Sequence, residues 1–431
     1  MSAPTYDAYR DSGVATLGAV PSHWRVAPAK YALAARSGGA SIKGQCADAP
    51  DDGLFQGYSA SGPDVWLTDY EFDGPGLVLS AVGARCGKVF LATGKWGVVA
   101  NTHCLLPTDA NVAKFLWYLT NNEAWWEKGG TAQPFVKVPD SLARKIGLPP
   151  PAEQAAIAAF LDRETGKIDA LVEAQTRLIE LLKEKRQAVI SHAVTKGLDP
   201  DAPMKDSGVE WLGQVPAHWE VGKLGYFSKL QGGYAFSSEL FGSDGVSVVR
   251  MNNLNRGRLD LNEAAKIPEE ESLERVALLP GDLLWGMSGS IGETGSLGNF
   301  ARVAEHDMPC QLNQRVGRFL TNARKLRVDF LEIIIQSRQF NEQVLNFVTG
   351  TAQFNISSEQ VQSCAVALPS IEEQAKIVTE SSGRMRHLNG LIETATDAIA
   401  LLQERRAALI SAAVTGKIDV RGLAPAQAEA A

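Results

Sequence analysis

Leu17-Gly-Ala-Val-Pro-Ser-His-Trp24 returns later in the chain as Leu212-Gly-Gln-Val-Pro-Ala-His-Trp219. Widened to Asp11–Val26 against Asp206–Val221, the match covers 11 of 16 positions at an offset of 195. A second block recurs at an offset of 220. It pairs Gly130-Thr131-Ala132-Gln133 with Gly350-Thr351-Ala352-Gln353, and Leu148-Pro149 with Leu368-Pro369. It continues through Glu153-Gln154-Ala155 with Glu373-Gln374-Ala375, and ends with Ala193-Val194-Thr195 and Ala413-Val414-Thr415. Between the blocks the likeness nearly vanishes. One relic, Pro75-Gly76 and Gly87 against Pro280-Gly281 and Gly292, sits at an offset of 205. The growth from 195 to 220 gives the second unit 25 extra residues, assigned to the polar stretches Arg250–Glu274 and Asn299–Gln311. Two matched blocks in the same order mean a duplicated frame whose middles have diverged.

Pro149-Pro150-Pro151 closes the first variable segment, and proline also suits the first turn of a helix. Glu153 then lies where a negative charge favours the helix dipole. Leu161, Ile168, Leu171, Leu178, Leu182 and Val189 follow at spacings that keep one face apolar. Leu388, Leu391, Leu402 and Leu409 repeat the stripe in the second copy. Each stripe exposes too much apolar surface to stand alone, so the two predict an antiparallel pair of rods roughly 60 Å long. The competing reading buries each helix separately in its own domain.

The variable segments read as mixed α/β, with strands at Gly76–Ser80 and Val246–Val249 and helices over Val112–Lys128 and Val328–Val348. The expected fold is α+β: two mixed α/β domains in pseudo-two-fold tandem repeat, joined by two long antiparallel coiled-coil-like helices. The expected order is a first domain over 1–150, a first shared helix over 151–203, a second domain over 204–370, a second shared helix over 371–420 and an Ala-rich disordered tail over 421–431. Trp24 and Trp219 read as packing anchors, with His23 and His218 structural beside them.

Composition narrows the chemistry. The net charge is −7, from 42 basic and 49 acidic side chains. No segment is basic as a whole, so any bound nucleic acid meets focused charge or phosphate contacts supplied by partner subunits. No apolar run reaches the length of a membrane span, and Met1–Asp11 lacks a signal-peptide core. The five cysteines are scattered, without a Cys-x-x-Cys pair, which points to reduced thiols and a cytoplasmic protein. No P-loop, Glu-x-Lys, Asn/Asp-Pro-Pro-aromatic or His-x-x-x-His pattern occurs. Neither a catalytic site nor a metal site is expected.

If the diverged middles bind a duplex, the readers are polar side chains in loops, because Arg matches guanine and Asn or Gln matches adenine with two hydrogen bonds each. The densest stretch holds Arg250, Asn252, Asn253, Asn255, Arg256 and Arg258. Asn313, Gln314 and Arg315, flanked by Gln311 and Arg318, form a second. Lys43, Gln45, Arg85, Lys88 and Lys137 are the sparser set of the first unit. The shared Gly-Thr-Ala-Gln, with Gln133 in one copy and Gln353 followed by Asn355 in the other, is either a phosphate contact or a structural turn.

The paired Leu-Gly-x-Val-Pro-x-His-Trp, Gly-Thr-Ala-Gln, Leu-Pro…Glu-Gln and Ile-Ser-x-Ala-Val-Thr motifs resemble the specificity-subunit family of type I restriction–modification systems, from about Tyr9 to Val420. The resemblance implies a non-catalytic subunit in which each domain reads half of a split, asymmetric site in double-stranded DNA while the helices fix the gap. It also implies docking to two methyltransferase subunits, which bind S-adenosylmethionine and modify adenine. Translocating endonuclease subunits, expected to use ATP and Mg, would join that core. This chain itself is expected to bind no cofactor. Two other classes stay open on the residues alone: a stand-alone nuclease or methyltransferase with unfamiliar motifs, and a scaffold whose domains bind protein.

Overall fold

The strand Gly76–Ser80 is buried along its whole length, and its alternation sorts two cores. Leu77 and Leu79 face a larger core with Trp24, Leu33, Leu105 and Phe115. Val78 points the other way, into a smaller core with Tyr58, Trp96 and Cys104. The strand lies inside an antiparallel sheet ordered Leu33–Ser37, Thr102–Pro107, Gly76–Ser80, Val89–Ala92. The small core lies between this sheet and a second, ordered Gly62–Leu67, Phe55–Ser59, Lys95–Val98, Phe72–Asp73. In the second sheet Phe55–Ser59 and Lys95–Val98 run parallel.

The second unit repeats the plan. Its main sheet is ordered Ser228–Gly232, Val316–Thr321, Leu283–Gly286, Phe300–Arg302. Leu283 and Trp285 enter the larger core, and Leu284 the smaller one with Val248 and Leu312. Val246–Val249 pairs parallel with Cys310–Leu312, as its counterpart does. The extra residues fall mainly in one place. Phe55–Ser59 turns into Gly62–Leu67 through Ala60 and Ser61 alone, whereas Val246–Val249 reaches its partner Lys266–Ile267 only after an added hairpin, Leu254–Asn255 with Arg258–Leu259.

The computed structural model describes residues 4–39, 41–292, 295–350 and 353–423. The Gln45 side chain, Thr351, Ala352 and residues 424–431 of the expected tail lie outside the described residues. The helices are α1 Ala113–Thr120, α2 Val138–Ala143, α3 Pro151–Thr195, α4 Val328–Gln336, α5 Arg338–Phe347, α6 Ser358–Ser363 and α7 Ile371–Val414. α1 is shorter than the expected 112–128, because Asn121 leaves helical geometry and Trp126 ties its indole N–H to the Thr120 carbonyl at 2.9 Å. The expected 328–348 helix is two helices. Ser337 breaks it in extended geometry, and its hydroxyl accepts the Phe340 N–H to start α5.

Helices α3 and α7 have 45 and 44 residues. The chain forms two compact units, one holding residues up to Thr176 and from Thr396 on, the other Arg177–Ala395. Each unit thus contains part of both long helices. In the first, Ile157 and Leu161 of α3 pack with Leu409, Ala413 and Val414 of α7, and Asp169 meets Arg406 at 2.8 Å. In the second, Ile190 and Val194 pack with Ile377 and Met385, and Arg186 meets Asn389 at 3.0 Å. Rising numbers on α3 meet falling numbers on α7 in both units, so the two run antiparallel.

The expected seam is only partly right. Leu161, Ile168, Leu182 and Leu388 are buried, and Val189, Leu402 and Leu409 are half-buried. Leu171, at 51% exposure, Leu178 and Leu391 are exposed. A two-helix contact covers a narrow stripe, and the apolar face here is wider than that stripe. Small residues, Thr165, Ser381 and Ala395, take buried positions instead.

Candidate nucleic-acid interface

The recurring motifs form a lock within each unit. The Trp24 indole N–H and the His23 imidazole both reach the Glu153 carboxylate, at 2.9 and 2.7 Å, and the Tyr6 hydroxyl joins them at 2.7 Å. In the second unit Trp219 and His218 reach Glu373 at 3.1 and 2.9 Å. Burial would raise the Glu153 pKa, but the hydrogen bonds from Tyr6, His23 and Trp24 win and hold it below the usual carboxylate range. The anchor reading of both tryptophans and histidines holds. The carboxylate partner was missed, although its recurrence beside the same donors in both copies was the signal.

With the frame fixed, one end of each main sheet gathers loops. In the first unit Gly76–Ser80 runs out into Ala81–Lys88, which carries Arg85 and Lys88. The Gly83 N–H donates to the Pro134 carbonyl and the Val136 N–H to the Ala81 carbonyl, each at 2.9 Å. This lays the hairpin Lys128–Gly129/Phe135–Val136 against that loop, with Gly-Thr-Ala-Gln at the hairpin's tip. Gly130 has φ +80°, and a Cβ there would come 2.4 Å from the Gln133 carbonyl oxygen. Gly350 is in the same state, at +114° and 2.3 Å from the Gln353 oxygen. The glycine is therefore a turn device, while Gln133 and Gln353 are exposed beside it.

Arg85 donates to the Ser61 carbonyl at 3.0 Å, which brings the tip of the second sheet's hairpin to the same end. Lys43 pairs with Asp64 at 2.5 Å. Partial burial works against ionisation of Asp64, but hydrogen bonds from Lys43 and Ser59 outweigh it and lower its pKa. Lys43 thus arrives with its charge compensated. Lys88 lies over the Phe90 ring, and Lys137 is exposed on the hairpin.

Two residues not singled out from sequence belong to this cluster. Lys128 opens the hairpin and approaches Gly87; its place just before the shared tetrapeptide was the available clue. Asn101 is exposed with φ +65°, and its carbonyl accepts from the Ala81 N–H at 3.0 Å. In the second unit the Arg315 carbonyl accepts from the Met287 N–H at 3.0 Å, so Asn101 and Arg315 occupy equivalent positions.

The corresponding end of the second unit holds most of its expected readers. Ser288–Gly289 pairs with Phe354–Asn355, which places Asn355 and Gln353 there. Asn313 and Gln314 lie alongside, tied to Val249 and Tyr234 through their N–H groups. The added hairpin docks through Arg256 N–H on the Asn299 side chain and Gly257 N–H on the Phe300 carbonyl. Asn252, Asn255, Arg256 and Arg258 are exposed on it. Arg250 is half-buried, over the Phe241 ring at 5.6 Å. Asn253 is a correction. It is buried, accepts the Arg250 N–H and donates to the Asp260 carbonyl, so it holds the hairpin and has no face left for a base. Gln311 and Arg318 are likewise structural, spent on the Leu273 N–H and on Asp282.

No group of side chains suited to a metal occurs among the described residues, and no helix among them is long and apolar enough to cross a membrane. Two unlike loop clusters thus sit on one repeated frame. The family described as type I restriction modification DNA specificity domain matches residues 68–181 and 216–380, and the chain belongs to that family. It is a DNA-specificity subunit, the recognising rather than the reacting component. Among curated proteins, the type I restriction enzyme MjaVIII specificity subunit of Methanocaldococcus jannaschii is 27% identical over 350 residues, covering 79% of this chain and 78% of that one. The EcoBI specificity subunit of Escherichia coli is 25% identical over 285 residues, covering 64% and 59%. A chain solved in work on complex assembly and conformational transition of the type I R-M system superposes with a TM-score of 0.67 at 14% identity, over 92% of this chain and 98% of that one. That likeness shows a shared fold.

Proposed function

We propose that this chain reads a bipartite, asymmetric site in double-stranded DNA, one half-site per unit, with the gap set by α3 and α7. The observation that carries the reading is the repeated sheet end, where matched backbone positions present unmatched side chains: Asn101 against Arg315, and the Ala60–Ser61 turn against the hairpin of Arg256 and Arg258. Lys88 and Lys137 would orient the duplex through its phosphates, which carry no sequence information, while Lys128, like Lys43, is already paired with a carboxylate, that of Glu123 at 3.1 Å. Because the whole chain is acidic, further phosphate contacts come from partners.

Those partners are two methyltransferase subunits and, around them, endonuclease subunits. S-adenosylmethionine, ATP and Mg belong on the partners, none on this chain, and the complex works in the cytoplasm. The exposed leucines of the long helices, Leu171, Leu178, Leu181, Leu391 and Leu401, support docking along them, since soluble proteins rarely leave such apolar surface uncovered.

The test is selection of bound duplexes from a random library by the complex with its methyltransferase partner. Two short motifs at a constant separation are expected. Exchanging residues 204–370 for those of a diverged relative should replace one motif and keep the other. A single continuous motif, or loss of both on the exchange, would overturn the reading.

A further inference from the structure

Gln154 and Gln374 are the same residue of the repeat, and they are in different states. Gln374, with 0% exposure, is saturated. Its Oε1 accepts from the Arg327 N–H at 2.9 Å, and its Nε2 donates to the carbonyls of Lys325 at 2.8 Å and Pro369 at 3.0 Å. Between those two backbone groups the loop drops Leu326 into the core, and Lys325 places its ammonium 3.3 Å from Glu220. Gln154, at 6% exposure, keeps only the bond to Pro149, at 2.8 Å, and its Oε1 has no partner.

The cause is a shorter loop. Thr108–Val112 has one residue fewer than Asn322–Arg327. Both loops hang from the same point, through Thr108 N–H on the Ala32 carbonyl and Asn322 N–H on the Phe227 carbonyl. Beside Gln154, where the second unit brings the Lys325 and Arg327 backbone to Gln374, the first has a cavity of about 330 Å³ bounded by Gln154, Arg25, Tyr31, Thr108, Val112 and Pro150. Its other polar wall residues, Asp109 and His23, are engaged by the Asn111 N–H and by Glu153. Arg25 stands where the second unit has Glu220. Among the described residues its guanidinium has no hydrogen bond or ion pair.

We propose that this cavity receives a peptide segment of the methyltransferase partner in which an acidic residue precedes an apolar one; the proposal rests on the assembly reading above. The second unit shows the pattern its occupant must copy. A carbonyl accepts from Gln154 Nε2, the N–H two residues on donates to Gln154 Oε1, and the apolar side chain between them fills the cavity. The charge is inverted. Glu220 holds a lysine, so Arg25 calls for a carboxylate at the same place.

The experiment places the photo-crosslinker p-benzoylphenylalanine at Thr108, which is exposed at the rim. The complex with co-expressed methyltransferase subunit is purified, irradiated and mapped by mass spectrometry. One partner segment carrying Asp or Glu before an apolar residue should be captured. Arg25→Glu should cut the yield at least tenfold, and changing the partner's acidic residue to Lys should restore it. The same crosslinker at Asn322, beside the filled groove, should capture no partner segment. A complex that forms but gives no capture from Thr108, captures only this chain, or captures equally from Asn322 overturns this inference alone. Failure of the two subunits to co-purify overturns the assembly reading and this inference with it.

Discussion

Glu153 shows what a single side chain does in this frame. Two ring donors and a phenol converge on it, so Glu153→Gln leaves buried donors competing for fewer lone pairs and should cost about 1–3 kcal/mol in urea unfolding. Its folded pKa is depressed. The stabilisation is therefore complete above the unfolded value, about 4.3, and is lost as pH falls through the lower folded one. Wild type and variant should differ by a constant amount at neutral pH and converge in acid. At the sheet ends, Asn101→Ala should relax base preference in one half-site by about 1–3 kcal/mol, and Arg315→Ala should do so in the other, read by competition binding with single-base variants. Equal effects of either change on both half-sites would remove these residues from base reading. The His-Trp and Glu-Gln repeats were legible as repeats, but a sequence does not show that one motif donates to the other. Asn253 misled because a reader and a hairpin clasp have the same composition, and only burial separates them.

The elements divide into those that periodicity reveals and those that contacts decide. The strands with buried faces and the two long helices follow from spacing and from the proline stops. The break at Ser337 does not, because a serine among polar neighbours, here Gln336 and Arg338, caps a helix only where the chain has room to turn. The seam was over-read for a related reason: apolar spacing marks a face, not how much of that face a partner covers. Leu401, at 66% exposure, and Leu181 are left bare. Leu181→Glu and Leu401→Glu should leave the melting temperature nearly unchanged, within about 0.5 kcal/mol of stability. They should weaken assembly with the methyltransferase subunit at least tenfold by size-exclusion titration. A destabilised fold with intact assembly would mean that these leucines serve packing instead.

For the molecule as a whole the sequence showed duplication, the order of parts and the lack of catalytic motifs. Which loops share a sheet end depends on strand order, which short diverged strands do not encode visibly. If α3 and α7 measure the gap, a heptad added at matched points of both should lengthen it by about 10 Å, or roughly three base pairs, and leave each half-site motif alone. Methylated-adenine mapping reads this directly, and an unchanged gap would retire the idea of a molecular ruler. The turn at Ala60–Ser61 and its enlarged counterpart bear on how such a protein acquires new targets. Doubling a flexible loop costs only about 0.6 kcal/mol in closure entropy; neither Ala60 nor Ser61 belongs to a core, and the added hairpin brings its own apolar anchor, Leu254. Substitutions and insertions there meet little resistance from folding, so new specificities can accumulate at the tip while the machinery that uses them stays the same.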